Sequence, residues 1–165
     1  MKRLFIIRHA KSSWSQPGLD DFDRPLNKRG QNDGPMMARR IGEAGIRPDL
    51  IVASPAKRAK KTAKYMADGT GYDNEKIRYF EELYMGSLAV HLKLLASLFN
   101  EADTLFLVGH NDTVTRLAEY LSGKNFGNVP TCGVVALEYA EDFGFTTIAG
   151  MGNLLFFWFP KDREK

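Results

Sequence analysis

A chain of 165 residues, 44% hydrophobic and 26% charged, is long enough for one domain with a sizeable core and has the make-up of an ordinary soluble globular protein. Its net charge of +3 is a mild excess that suits an anionic substrate as well as nucleic acid, so charge does not choose a partner. One cysteine, Cys132, excludes an internal disulfide and a Cys-based zinc cluster, and it fits a reducing, cytoplasmic compartment.

Lys2-Arg3 precedes the four apolar residues Leu4-Phe5-Ile6-Ile7, a run too short for the h-region of a signal peptide. No apolar stretch approaches a membrane span, and no membrane partner is expected. The run itself suits a strand buried on both faces of a parallel sheet, and it ends in Arg8-His9. Ala10 to Asp23 reads as a long loop with three aspartates and Trp14. Asn27 caps a helix that Gly45 stops, although Gly30, Gly34 and Pro35 favour a late start or a kink. Leu50 to Ala53 is a second buried strand. Ser54 then caps a helix with Pro55 at its first position, running to Asp68 and ended by Gly69.

Ile77 to Phe80 reads as a short third strand. Gly86-Ser87 opens a helix with Leu88, Leu92, Leu95, Leu98 and Phe99 on one face, and His91 reads as a surface or boundary residue of it. Thr104 to Val108 is another uninterrupted strand ending at Gly109-His110-Asn111. Asn111 or Asp112 caps the next helix, which stops at Gly123. Val134 to Tyr139, Phe145 to Ala149 and Leu154 to Phe159 read as strands, with a hairpin on one sheet edge. The alternation gives a single α/β domain over residues 1–165, a three-layer α/β/α sandwich with a mostly parallel central sheet.

If the three strong strands are parallel, Arg8-His9, Ser54-Pro55 with Lys57-Arg58, and Gly109-His110 lie together on one rim. Ligands of open parallel sheets bind there. Lys57 and Arg58 stand in a helix's first turn, where cations are unfavourable unless an anion binds. Arg58, whose fork matches phosphate, reads as part of such a site. Lys57, Lys60, Lys61 and Lys64 read as a solvated basic face. Two histidines beside two arginines repel a metal ion, and no metal or cofactor is expected. A phosphoryl pocket fits better: one neutral imidazole attacks phosphorus while the other groups stabilise the equatorial oxygens.

Arg8-His9-Ala10-Lys11-Ser12, Arg24-Pro25-Leu26 with Arg29-Gly30, Ser54 to Ala59 with Thr62, Leu83-Tyr84 and Val108 to Asn111 together resemble the histidine phosphatase superfamily. Within it the match is most similar to phosphohistidine phosphatases of the SixA type. Ala10 departs from the family's Arg-His-Gly. The resemblance implies a phosphoglycerate mutase-like fold, His9 as nucleophile, Arg8 and Arg58 as phosphoryl ligands and His110 completing the pocket. It points to Glu82, or its neighbour Glu81, as proton donor, although the fuller acidic motif of the mutases is missing. Lys11 and Arg24 read as loop charges in preference to guides for a substrate. The implied activity is metal-independent hydrolysis of phosphohistidine through a covalent intermediate on His9, with a phosphorylated protein or small phosphorylated molecule as substrate. The alternatives are a small-molecule phosphomonoesterase and a non-catalytic phospho-binding module. A mutase is disfavoured because the short chain offers little sequence for a lid. No nucleic-acid partner is expected, since the basic run lacks interleaved aromatics. A monomer is favoured.

Overall fold

A computed structural model describes residues 1–163 of the chain. Six strands form one mixed sheet: β1 (Lys2–Arg8), β2 (Leu50–Ala53), β3 (Arg78–Tyr79), β4 (Thr104–Gly109), β5 (Val134–Tyr139) and β6 (Asn153–Trp158). Their order is β3-β2-β4-β1-β5-β6. The first four strands in that order are parallel, and β5 and β6 pair antiparallel on one edge. Five α-helices accompany them: α1 (Lys28–Glu43), α2 (Lys57–Thr70), α3 (Glu82–Met85), α4 (Leu88–Leu98) and α5 (Thr113–Ser122).

Side chains alternate across each strand, and the alternation divides the core into two layers. Leu4, Ile6, Val52, Leu105 and Leu107 face α4 and α5, meeting Leu95, Leu98, Val114, Leu117 and Leu121. Phe5, Ile7, Ile51, Phe106 and Val108 face α1 and α2, meeting Met37, Ile41, Ala63 and Met66. The central runs are apolar throughout because both faces are covered. The sandwich is the one read from the sequence, and Arg8 pairs with Gly109 in register, so the carboxyl ends of β1 and β4 coincide.

The structure corrects several boundaries. Helix α1 starts at Lys28, without delay, because the Asn27 side chain accepts the Gly30 N–H. Its glycines serve packing. A Cβ on Gly34 would lie 2.3 Å from the Tyr65 ring, and one on Gly42 2.0 Å from the Gly69 carbonyl oxygen. Helices α1 and α2 therefore approach to backbone contact. Gly42→Ala is expected to cost about 1–3 kcal/mol by overpacking, each kcal/mol lowering Tm by about 2–4 °C in a chain of this size. A thermal melt of the variant at wild-type Tm would show that the contact yields.

Helix α2 begins at Lys57 with Ala56 as its uncapped N-cap, and it runs past Gly69 to Thr70, closed by left-handed Gly71. Ser54 and Pro55 lie before it. Phe145 to Ala149 is not a strand: Phe145 stacks on Phe99, 4.6 Å between centroids, and meets Tyr139 edge-on. Phe145 caps the core, Ile148 is exposed, and the segment carries no ladder. His91 is not at the surface. It is 1% exposed, with Nδ1 2.8 Å from the Ser87 carbonyl. Among the described residues no helix is long and apolar enough to cross a membrane.

Candidate active site

The chain leaving β1 is held from two sides. His9 N–H donates to the Gly109 carbonyl at 3.0 Å, and Cys132 N–H donates to the carbonyls of Arg8 and His9, each at 3.0 Å. Cys132 reaches both from a left-handed backbone conformation, φ 61°. Buried, its thiol is pushed well above the ordinary range and stays protonated.

His9 Nδ1 lies 2.7 Å from the Ala10 carbonyl oxygen. A carbonyl can only accept, so Nδ1 carries the proton and Nε2 keeps its lone pair. Ala10 N–H donates to Thr62 Oγ1 at 2.9 Å, and that hydroxyl donates to the Arg58 carbonyl at 2.8 Å. One side chain thus ties the imidazole segment to the turn of α2 that carries Arg58.

His110 leaves β4 with its ring centroid 5.0 Å from that of His9. Its Nε2 lies 2.8 Å from Ser54 Oγ, which also accepts the Ala56 N–H at 3.2 Å. Ser54 orients an imidazole here and does not cap the helix. Arg8 Nη1 donates to the Val129 carbonyl at 3.0 Å. Arg58, 6% exposed, donates from Nη1 to the Asp21 carbonyl at 2.6 Å and from Nη2 to Asp21 Oδ2 at 2.8 Å. Arg8 Nε, Arg58 Nε and His110 Nδ1 are buried without a protein partner. Arg40 Nε, Asn74 Oδ1, His91 Nε2 and the Tyr139 hydroxyl are in the same state elsewhere; the grouping of two guanidinium nitrogens and an imidazole nitrogen at one rim leaves donors there for a polar ligand.

The structure brings His9, Arg8, Arg58 and His110 together at the ends of β1 and β4 and the start of α2. Glu82 is not brought to them by any hydrogen bond among the described residues. It opens α3, exposed, and lines a depression with Val90, Lys93 and Leu94 of α4; Glu81 is likewise exposed. The carboxylate that does meet the arginines is Asp21, from the long loop. Its Oδ1 accepts from Arg24 Nη1 at 2.9 Å, and its Oδ2 accepts from Arg58 and, at 2.8 Å, from the Tyr84 hydroxyl. Partial burial pushes the Asp21 carboxyl up, but the bonds from Arg58, Tyr84 and Arg24 outweigh it and hold the group well below the usual carboxylate range.

Arg24 is not a loop charge. It is buried, donates to Ser12 Oγ and the Ser13 carbonyl, and lies 3.3 Å over the Trp14 ring. Lys11 is exposed, as a loop charge should be. Sequence reasoning missed Asp21, and the role of Ser54. The signal for Asp21 was the conjunction of a long loop, three aspartates and an Arg-Pro exit.

Burial lowers the His9 pKa to about 3, aided by the neighbouring His110, Arg58 and Arg8 and opposed by the Ala10 carbonyl. Burial and Arg58 lower that of His110 to about 4, with Asp21 opposing. Both rings are neutral at pH 7. The unfolded chain takes up these protons near pH 6.5 and the folded chain only near 3–4, so stability is full above pH 6.5 and falls as pH drops through that window. Between pH 7.5 and 5.5 the rate constant on an aryl phosphate is expected to change by less than about twofold from enzyme ionisation. Acid loss should instead follow unfolding measured by circular dichroism. A steep fall near pH 6.5 in folded protein would contradict this.

Asp21 engages the guanidinium of Arg58, the group expected from the sequence to meet an oxyanion. In Asp21→Asn the amide oxygen still accepts from Arg58, while the negative charge is gone. A unit charge about 5 Å away at a half-exposed site is worth roughly 1 kcal/mol, so tungstate should inhibit about fivefold more tightly. Weaker inhibition would mean that the charge of Asp21 matters more for holding Arg58 than it costs in repulsion.

The sequence profile of the histidine phosphatase superfamily (branch 1) matches residues 4–94. An uncharacterised chloroplastic protein of Arabidopsis thaliana is 33% identical over 145 residues, covering 83% of this chain and 66% of its own length. A solved structure from Agrobacterium tumefaciens, assigned as the phosphohistidine phosphatase SixA, is 30% identical, with a TM-score of 0.81 over 95% of this chain and 97% of that one. The protein histidine phosphatase SixA complexed with tungstate has the same fold, with a TM-score of 0.81 at 22% identity, covering 96% and 97% of the two chains. The chain belongs to the histidine phosphatase superfamily. That membership and the SixA-like architecture support a phosphatase acting on phosphorylated substrates.

Proposed function

We propose that the protein hydrolyses phosphohistidine on a protein substrate, with His9 as the transient phosphoryl acceptor. His9 Nε2, its lone pair free, attacks phosphorus. The P–N bond of the substrate breaks, and the departing imidazole takes a proton from water. Arg8, Arg58 and His110 hold the equatorial oxygens as charge builds on them. Water then attacks the phosphorus on His9, releasing inorganic phosphate and restoring the neutral ring. Metal plays no part in these steps.

The observation that carries the choice of substrate is the state of the nearby carboxylates. Expelling an alkoxide needs a positioned acid. Asp21 is held ionised by two arginines and a tyrosine, and Glu82 is exposed, with no side-chain hydrogen bond to the site among the described residues. A phosphoramidate nitrogen accepts a proton readily and needs less help from the protein. The pocket thus favours phosphohistidine, or an activated aryl phosphate, over phosphoserine.

The test is one side-by-side assay of the purified protein on a phosphohistidine protein, a phosphoserine peptide and p-nitrophenyl phosphate. Turnover of the first and third well above the second is expected, unchanged by excess chelator. Robust hydrolysis of a small sugar phosphate with none of the phosphohistidine protein would reassign the enzyme as a small-molecule phosphomonoesterase. Binding without turnover of any of them would make it a phospho-binding module.

A further inference from the structure

Beside the site, α2 and the entry to α1 enclose a groove of about 550 Å³. Lys57, Lys60, Lys61 and Lys64 form one wall, and Leu26 and Tyr65 contribute apolar surface; no lining residue is acidic. Among the described residues none of the four ammonium groups forms an ion pair. Their spacing is electrostatically costly. Lys57 faces Lys61, and Lys60 faces Lys64, at i,i+4, where like charges destabilise a helix. Three of the four, Lys57, Lys60 and Lys61, lie in the N-terminal half of α2, toward its positive end, and no acid stands in its first turn. A solvated face gains nothing from this arrangement, whereas an acidic partner relieves it.

We propose that this groove docks an acidic segment of the phosphoprotein substrate, and so selects substrates whose phosphorylated residue is flanked by Asp or Glu. The proposal rests on the phosphatase reading above. The groove is continuous with the catalytic rim: Lys57 precedes Arg58, and Leu26 follows two residues after Arg24, the two arginines that grip Asp21. Outside the groove, Trp14, 74% exposed over Arg24, adds apolar surface at the rim that a polypeptide can cover. Ammonium groups above an apolar floor match a peptide that mixes acidic and apolar side chains. They match nucleic acid less well. Tyr65 lies against α1 at Gly34, with Lys61 Nζ 5.1 Å from its ring centroid, so it offers no platform for a base.

The test uses two peptides phosphorylated on a single histidine with phosphoramidate, one flanked by glutamates and one by glutamines. Wild-type protein should favour the acidic peptide in kcat/KM by about tenfold through KM, with the preference fading as KCl rises. The double variant Lys61→Glu/Lys64→Glu should lose the preference and hydrolyse p-nitrophenyl phosphate as before. Equal hydrolysis of both peptides by the wild type overturns the groove and leaves the phosphohistidine reading standing. If neither peptide is hydrolysed, that reading fails instead, and the groove is judged by fluorescence anisotropy with a labelled, phosphate-free glutamate octapeptide. Binding by the wild type but not by the folded variant upholds it; no binding, or tighter binding of a labelled oligothymidylate, rejects it.

Discussion

His9→Ala is expected to remove turnover almost entirely, a loss on the order of 10⁶-fold, as when a covalent nucleophile is deleted from another hydrolase. The size follows from the absence of a substitute. His110 is the other imidazole in the pocket, but its Nε2 is engaged by Ser54 Oγ and its Nδ1 is buried. Of the two pocket imidazoles, only His9 has one nitrogen fixed as a donor by a backbone carbonyl and the other left unprotonated with its lone pair free. Rapid quench with phosphorus-labelled substrate should trap an acid-labile, alkali-stable phosphate on His9. Label recovered on His110, or near-normal turnover by His9→Ala, would reassign the nucleophile.

Arg58→Ala comes second, with an expected fall in kcat of roughly 10²–10³, typical for loss of one preorganised donor to developing charge. The variant also leaves Asp21 with Arg24 and Tyr84 alone, placing a less compensated carboxylate beside the incoming phosphoryl group. Tungstate inhibition should weaken in parallel. Arg58→Lys should not restore the rate, because one ammonium cannot replace a planar fork that spans the carbonyl and carboxylate of Asp21. Since the side chain is buried, a melting curve must accompany the kinetics. A folded Arg58→Lys with wild-type turnover would show that only charge is needed.

The central sheet was legible because β1, β2 and β4 are uninterrupted apolar runs, a pattern that burial on both faces produces. Their shared polar ends then gave His9, Arg8, Arg58 and His110. What could not be read were contacts that depend on long-range packing. Asp21 looks like any loop aspartate until the loop folds across α2. Ser54-Pro55 has the form of a helix start, yet the helix begins two residues later and frees the hydroxyl for His110. His91 has a polar name and a buried position, since α4 lays that face against the core. Phe145 to Ala149 has strand composition but covers the core edge without pairing. Glu82 was given its role by resemblance; it stands exposed at the start of α3.

The strand order carries a consequence for synthesis. Strand β4 bonds to both β1 and β2, which have no direct pairing with each other. On the ribosome β1 and the β2–β3 pair emerge first, with the strand edges and apolar faces that await β4 still uncovered. They cannot close until residues 104–109 have cleared the exit tunnel, and non-local pairing of this kind is slow. A nascent chain stalled before Thr104 should therefore be protease-sensitive and prone to aggregate, and His9 and Arg58 should find each other only after release of the second half of the protein.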